Sequence, residues 1–397
     1  MRPLLILIAL IPLVFSCNNE KPKQESQITT EEETAPLAAA HRFPYMLQYA
    51  VGPEAFPRSL EPNGEVRGVP SKDWTSGFFP GSLMYIHQLT DDQSYLAKAE
   101  EWLPLLEQEK LNNRTHDMGF KVYCSYGNAY KLTGNQKYAE VIVESAQTLI
   151  TRYNPTIGCI KSWDFGGDRW IFPVIIDNMM NLELLFEATK ISGDSTFHKI
   201  ADSHVSVTLK NHFRSDFSSY HVIDYDPETG EVRNRLTHQG LNKESSWARG
   251  QAWGLYGFTM AYRYTANQAY LTRAKEIAEF VFTNKNMPAD LIAYWDFDDP
   301  KIPNSPRDAS AAAVMASALL ELAEYAPEQK DVYLDRANTI INTLSSDEYL
   351  LAADNTTPFI LAHSTGNMPK NDEVDAPISY ADYYYLEAIL RSKNFDN

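Results

Sequence analysis

A two-part pattern recurs five times along this chain and then begins once more. Each copy opens with a helix-period segment rich in aromatic and small residues and passes through a short polar turn. It then continues from a Tyr or Phe into a second, more amphipathic segment. The first halves open at Trp74, His116, Ile175, Ala248 and Asp308, and the turns read TDDQS, TGNQK, SGDST, TANQA and APEQKDV. A sixth first half, YADYYYLEAILRS, closes the chain from Tyr380. Segment 38–52 supplies the missing second half. Twelve helices in six pairs predict an all-α fold, an (α/α)6 barrel or six-hairpin toroid. The amphipathic second helices form its outer ring, and the first helices, apolar nearly all round, form the inner one. An open helical solenoid has the same local grammar. The split sixth pair favours closure, because the chain ends can then meet. No segment alternates Val and Ile long enough for a large sheet. Short strands are expected near 219–235, where HVIDYDPETGEVR reads as a hairpin.

The N-terminus has its own logic. Residues 1–16, MRPLLILIALIPLVFS, carry one positive charge and a short apolar run and read as a bacterial secretory signal. Cys17 follows in Val14-Phe15-Ser16-Cys17, which resembles a lipobox, so Cys17 is the expected lipid-attachment site. The other reading is an ordinary signal peptide with an incidental cysteine. Residues 17–36 are polar, with no aromatic residue, and read as a flexible tether. Residues 37–397 then form a single catalytic domain. The expected location is outside the cytoplasm, in the periplasm or at the outer membrane, held only by the lipid. An oxidising compartment permits a Cys124–Cys159 disulfide, but two buried free thiols fit as well.

Of the 397 residues 44% are hydrophobic, enough for a large core, and the formal charge of -17 argues against a nucleic-acid partner. There is no HExxH, GxSxG, P-loop or GxGxxG, and the nine histidines lack metal spacing. Acid–base chemistry without metal or cofactor is the simplest expectation.

The linkers from each second helix to the next first helix are long and rich in Trp, His, Gly and Asp. They emerge together at the N-terminal ends of the inner helices, where long loops mark a functional rim. Asp117 and Asp177 stand at the starts of two inner helices. Either could be an ordinary first-turn acid. Asp177 is flanked by Ile175, Ile176, Met179 and Met180, so it should be desolvated, and desolvation suits a general acid. Trp74, Trp163, Trp170, Trp247 and Trp253 fall in or beside the long loops, as saccharide platforms or as core. Arg249 in SSWARGQAWG could clamp a carboxylate or serve as a structural ion-pair partner. His221, Thr237, His238 and Gln239 occupy the 219–240 insertion.

These motifs together resemble the unsaturated glucuronyl hydrolases, glycoside hydrolase family 88. The resemblance rests on KDWTSGFFPG around Trp74, HDMGF at His116-Asp117, IIDNMMNLELL at Asp177, and His221 before YDPETGE. It rests also on Thr237 to Gln239 in THQG, WARGQAWGLYGF from Trp247, and the final ISYADYYYLEAILR. It implies an (α/α)6 barrel that acts on lyase products bearing a 4,5-unsaturated uronic acid at the non-reducing end. The implied reaction hydrates the C4–C5 enol ether rather than attacking the anomeric carbon. Asp177 is then the general acid/base and Asp117 the second essential carboxylate. His116, His221, Thr237, Gln239, Arg249 and Trp253 bind the sugar, and Trp74 and Trp247 line the subsites. In the loop AHSTGNMPK, Ser364, Thr365, Asn367 and Lys370 could hold a sulfate, which leans the substrate toward glycosaminoglycan fragments. The alternatives are an unsaturated rhamnogalacturonyl hydrolase acting on pectin fragments, or a non-catalytic sugar-binding lipoprotein.

Overall fold

Four of the turns inside the helix pairs are specified atom by atom. Asp91, Gly134, Gly193 and Ala266 adopt left-handed φ angles of 57, 66, 76 and 53° and end the first helix of the pair. Asp92, Asn135, Asp194 and Asn267 follow as N-caps, each side chain accepting from the N–H two residues on. The hydroxyls of Thr90, Thr133, Ser192 and Thr265 donate to the carbonyl four residues back. The same four oxygens accept the N–H of the capping residue. A Ser/Thr-X-Asp/Asn string thus reverses the chain in two residues and sets each pair antiparallel.

The computed structural model describes residues 38–395, all within one compact unit. The signal segment, Cys17 and the tether lie outside the described residues. The helices are α1 (Phe43–Gln48), α2 (Phe78–Thr90), α3 (Gln93–Leu106), α4 (Asn128–Thr133), α5 (Gln136–Ile150) and α6 (Glu183–Ser192). They continue with α7 (Ser195–Asn211), α8 (Ala248–Thr265), α9 (Gln268–Thr283), α10 (Ala309–Tyr325), α11 (Lys330–Leu344) and α12 (Ser379–Ser392). Even-numbered helices form the inner ring and odd-numbered helices the outer. α12 packs against both α10 and α2, which closes the ring into the expected (α/α)6 barrel. The N-terminal segment is tied to the far end of the chain. α1 packs on α2 and α3. The buried Arg42 before it donates to the carbonyls of Ala352, Asn355, Thr357 and Phe359, beyond α11.

Two inner helices depart from the regular form that the periodicity predicts. The second opens as a π-helical stretch, Gly119–Gly127, before α4. The third opens as a 3-10 turn, Ile176–Asn181, before α6. Both irregular starts lie at the loop-rich rim, where such departures often accompany function.

Short antiparallel strands build that rim. β1 (Phe56–Leu60) pairs with β2 (Val66–Val69), and β3 (Tyr153–Asn154) with β4 (Cys159–Ile160). The expected hairpin is β6 (Val222–Tyr225) with β7 (Val232–Leu236), and β5 (Phe172–Ile175) adds a third strand along β6. β8 (Ser364–Asn367) pairs with β9 (Asp372–Ala376). The other end of the inner ring is filled by a polar cluster. Arg263 bridges Glu183 and Glu321, while Arg391 bridges Glu321 and Glu387. Buried charges persist when each is paired, as here. Cys124 and Cys159 are both buried and free, so the described chain contains no disulfide between them.

Candidate active site

β5 runs directly into the 3-10 turn that carries Asp177. The Ile176 N–H donates to the His221 carbonyl at 3.1 Å, so the sheet aims both residues at one point. Asp177 is only 8% exposed. Burial pushes its carboxyl up to about 7; the Arg249 guanidinium pulls it down, Asp117 pushes it up and the Trp253 indole N–H pulls it down. This carboxyl can therefore hold a proton near neutrality, as a general acid must.

Asp117 lies at the foot of the neighbouring π-helical segment. The Thr115 hydroxyl donates to its Oδ2 at 2.5 Å, and His116 Nε2 stands 3.2 Å from its Oδ1. The Asp117 side chain is 15% exposed, against 11% for the Asp177 side chain. The two aspartate-bearing segments are joined at Phe120, whose N–H donates to Asn181 Oδ1 at 3.0 Å. Gly119 makes this approach possible, because a Cβ there would lie 2.5 Å from the Asn181 Cα.

His221 completes the centre. Its Nε2 is 3.7 Å from Asp177 Oδ2, and its Nδ1 accepts the N–H groups of His238 and Gln239, each at 3.1 Å. Burial, with smaller contributions from His238 and the Arg249 guanidinium, drives its pKa well below the usual histidine range, so the ring is neutral. With Nδ1 accepting, the proton sits on Nε2, facing the carboxylate. His116 is likewise lowered, chiefly by burial.

The structure brings most of the sequence-derived residues together, in altered roles. Trp253 is fully buried between Phe120 and Tyr384, where it underlies Asp177 as a wall. Trp247 is 3% exposed and packs 4.7 Å from the His221 ring. Trp170 is also buried, whereas Trp74 and Trp163 are partly buried. Trp74 rests on Phe78, Phe120 and Tyr380. Thr237 Oγ1 accepts the Gly240 N–H, and Gln239 Nε2 donates to the Gly366 carbonyl at 3.3 Å.

Arg249 answers to its structural reading. Its side chain is 1% exposed and pairs with Asp308 at 2.7 Å. It also donates to the carbonyls of Thr365 and Gly366 at 2.6 and 2.5 Å. These bonds spend the guanidinium's forward edge on the protein, so Arg249 anchors the β8–β9 hairpin and still lends its charge to Asp177. The sulfate-holding group is also rearranged. Ser364 and Thr365 are buried, and the Thr365 hydroxyl donates to the Arg307 carbonyl. Asn367 is half-buried and Lys370 exposed. Lys370 lies near enough to His238 to act on it electrostatically.

Several site residues escaped the sequence reading. Thr115 orients Asp117. Asn178 donates to the Ile160 carbonyl and Asn181 holds Phe120. Asp308 caps α10 through the N–H groups of Ser310 and Ala311 while pairing with Arg249. The signal was present for the asparagines, as polar residues beside Asp177 among Ile175, Ile176, Met179, Met180 and Leu182.

Comparison with known proteins agrees with this geometry. Residues 59–385 match the model for Glycosyl Hydrolase Family 88. The chain is 54% identical over 400 residues to the unsaturated glucuronyl hydrolase of Formosa agariphila, covering 99% of each. It is 32% identical to the unsaturated chondroitin disaccharide hydrolase of Streptococcus agalactiae, over 85% of this chain and 86% of that one. A solved structure of an unsaturated glucuronyl hydrolase specific for heparin superposes with a TM-score of 0.89 at 47% identity. That match covers 92% of this chain and 97% of the other. With a closed ring of six helix pairs, paired carboxyls at its rim and a family match across most of its length, this chain belongs to glycoside hydrolase family 88.

Proposed function

We propose that this enzyme removes the 4,5-unsaturated uronic acid from the non-reducing end of lyase-generated glycosaminoglycan fragments by hydrating its C4–C5 double bond. The observation that carries the reading is Asp177, a buried carboxyl whose pKa lies near neutrality, faced by the neutral His221 and a second carboxyl, Asp117. Asp177 gives its proton to C4 as the enol-ether electrons move to form that bond. The resulting carboxylate takes a proton from the water whose oxygen adds to C5. The hemiketal so formed opens, and the aglycone leaves. Asp117 orients the ring and keeps the Asp177 pKa high; His221 Nε2–H supports the carboxylate once its proton has gone. Trp74 lines the cleft, and the buried Trp247 and Trp253 back its wall. Thr237, Gln239 and the outer part of the 364–370 loop, Asn367 and Lys370, complete the sugar-binding set, while the fully buried His116 backs Asp117.

Similarity to a relative specific for heparin, at 47% identity against 32% for the chondroitin-acting one, supports heparin-derived disaccharides as the first substrates to try. The test is loss of the ultraviolet absorbance of the conjugated double bond on heparin, chondroitin and hyaluronan disaccharides. Turnover by the wild type and not by Asp177→Asn supports the reading. Turnover of pectin-derived fragments alone would move the enzyme to rhamnogalacturonyl chemistry.

The protein is exported and anchored through a lipid on Cys17. The signal at residues 1–16 and the lipobox-like string before Cys17 support this placement. Cys17→Ala should release it from the membrane fraction.

A further inference from the structure

One buried ion pair beside the active site has no part in the chemistry. Lys121 is fully buried in the π-helical segment, and its Nζ donates to Glu109 Oε2 at 2.7 Å. Glu109 is 4% exposed and sits in the 3-10 turn Glu107–Leu111 that follows α3. Removing two charges from water opposes folding about as strongly as their attraction favours it, so stability alone is a weak reason for such a pair. The pair also has partners on three rim segments. Asn112 Nδ2 donates to the same Oε2 at 2.7 Å, and Asn112 Oδ1 accepts the Arg114 N–H at 3.1 Å. Ser71 Oγ donates to Glu109 Oε1 at 2.8 Å, and the Ser76 hydroxyl donates to the Ser71 carbonyl at 2.7 Å. Ser71 and Ser76 bracket Trp74 in sequence.

These bonds close a ring around Asp117. On one side the Lys121 N–H donates to the Asp117 carbonyl at 3.1 Å. On the other the bonds run from Lys121 through Glu109 and Asn112 to the Arg114 N–H. Thr115 comes next, and its hydroxyl holds the Asp117 carboxylate. The segments before and after Asp117 are thus tied at one buried carboxylate. The start of α2 lies flush on the same place, since a Cβ at Gly77 would stand 2.3 Å from the Lys121 carbonyl oxygen.

We infer that Lys121 and Glu109 are positioning residues for the reaction: their ion pair braces the Asp117 turn against the Trp74 turn and so fixes where the second carboxylate stands relative to Asp177. The kinetic consequence rests on the proposed hydrolase reading; the brace itself does not.

The test is the double variant Lys121→Met with Glu109→Gln. It removes both charges, keeps both volumes close and leaves an acceptor for Asn112. Lys121→Met alone strands a buried carboxylate and should lower both the urea midpoint and kcat. Adding Glu109→Gln should bring the midpoint back to the wild-type value or above, because a buried pair replaced as a unit often costs no stability. It should not bring back kcat. On an unsaturated heparin disaccharide kcat should stay about tenfold or more below wild type with KM within about twofold, since a misplacement of about 1 Å costs roughly 10²-fold in rate. Recovery of kcat together with the midpoint would overturn the inference and leave the hydrolase reading intact. Asn112→Ala opens the ring at a partly buried link without removing a charge, so it keeps the test open if the double variant fails to fold. It should lower kcat with KM unchanged, and wild-type kcat there would count against the brace equally. Amide hydrogen exchange gives a readout that needs no substrate. Exchange in segment 112–123 should quicken in the double variant while α9 keeps its wild-type rates, and unchanged exchange in 112–123 would overturn the brace. If the wild type turns over no unsaturated disaccharide, the hydrolase reading fails, and the exchange measurement still decides the brace.

Discussion

His221 Nε2 lies 3.7 Å from Asp177 Oδ2, while His221 Nδ1 accepts two backbone N–H groups from the 238–239 segment. The backbone therefore decides which nitrogen carries the proton. The distance is longer than a hydrogen bond, and such contacts commonly tighten only when substrate fills the site. His221→Gln should lower kcat by roughly 10²-fold with a smaller change in KM. Steady-state kinetics on the disaccharide decides this; an effect confined to KM would assign His221 to binding alone.

Asp177→Asn should abolish turnover, by about 10³-fold or more, and also change how stability depends on pH. Burial raises the Asp177 pKa from 3.8 to about 7 in the folded chain. Where the folded pKa exceeds the unfolded one, ionisation destabilises the fold. The penalty is absent below about pH 4, grows as pH rises toward 7, and is constant above; its ceiling is about 4 kcal/mol. Relative to the wild type, Asp177→Asn should gain stability at pH 8 and not at pH 4. Urea unfolding at both pH values measures it.

The same carboxyl should set the pH profile of the reaction. Because protonated Asp177 starts the reaction, kcat/KM should fall as pH rises through about 7. Asp117 raises that pKa, so Asp117→Asn should move the falling limb to lower pH in whatever activity remains. A limb that stays in place or moves up would separate Asp117 from Asp177 electrostatically.

Much of this could be read before any coordinates. The helix-pair repeat gave the barrel because each unit carries its own apolar period and turn. Asp177 stood out because an acid among Ile and Met must lose its water. What stayed hidden depends on residues far apart in sequence. Arg249 reads as a free cation until Asp308, 59 positions on, and Gly366, 117 positions on, are folded against it. Trp253 and Trp247 read equally as platform or core, because indole rings serve both and only packing decides. The π-helical and 3-10 starts come from how two segments meet at Gly119 and Asn181, which no single-segment period records.

Arg249 offers a test with two readouts. Arg249→Met leaves Asp308 buried without its cation, at a cost of about 3–5 kcal/mol in stability. Adding Asp308→Asn should recover part of that loss, because the second buried charge is then gone. Arg249 also lowers the Asp177 pKa, so either variant should shift the falling limb of kcat/KM to higher pH, opposite to Asp117→Asn. Denaturant melts and pH profiles on the single and double variants resolve the two effects.

Gly119→Ala should injure catalysis without touching any reacting group. A Cβ at 119 would lie 2.5 Å from Asn181 Cα and 2.9 Å from its Oδ1, so backbone must move and the Phe120 N–H bond to Asn181 must lengthen. That contact joins the segment of Asp117 to the segment of Asp177, and widening it shifts one carboxyl against the other. Overpacking of this kind costs about 1–3 kcal/mol, and a misplacement of about 1 Å costs roughly 10²-fold in rate. Gly134→Ala is the control. Gly134 has φ +66° and nothing within 4 Å of a Cβ, so the substitution should cost about 1 kcal/mol in stability and leave kcat unchanged. Equal loss of kcat in both variants would mean that general loosening of the barrel, and not the Gly119–Asn181 spacing, governs the rate.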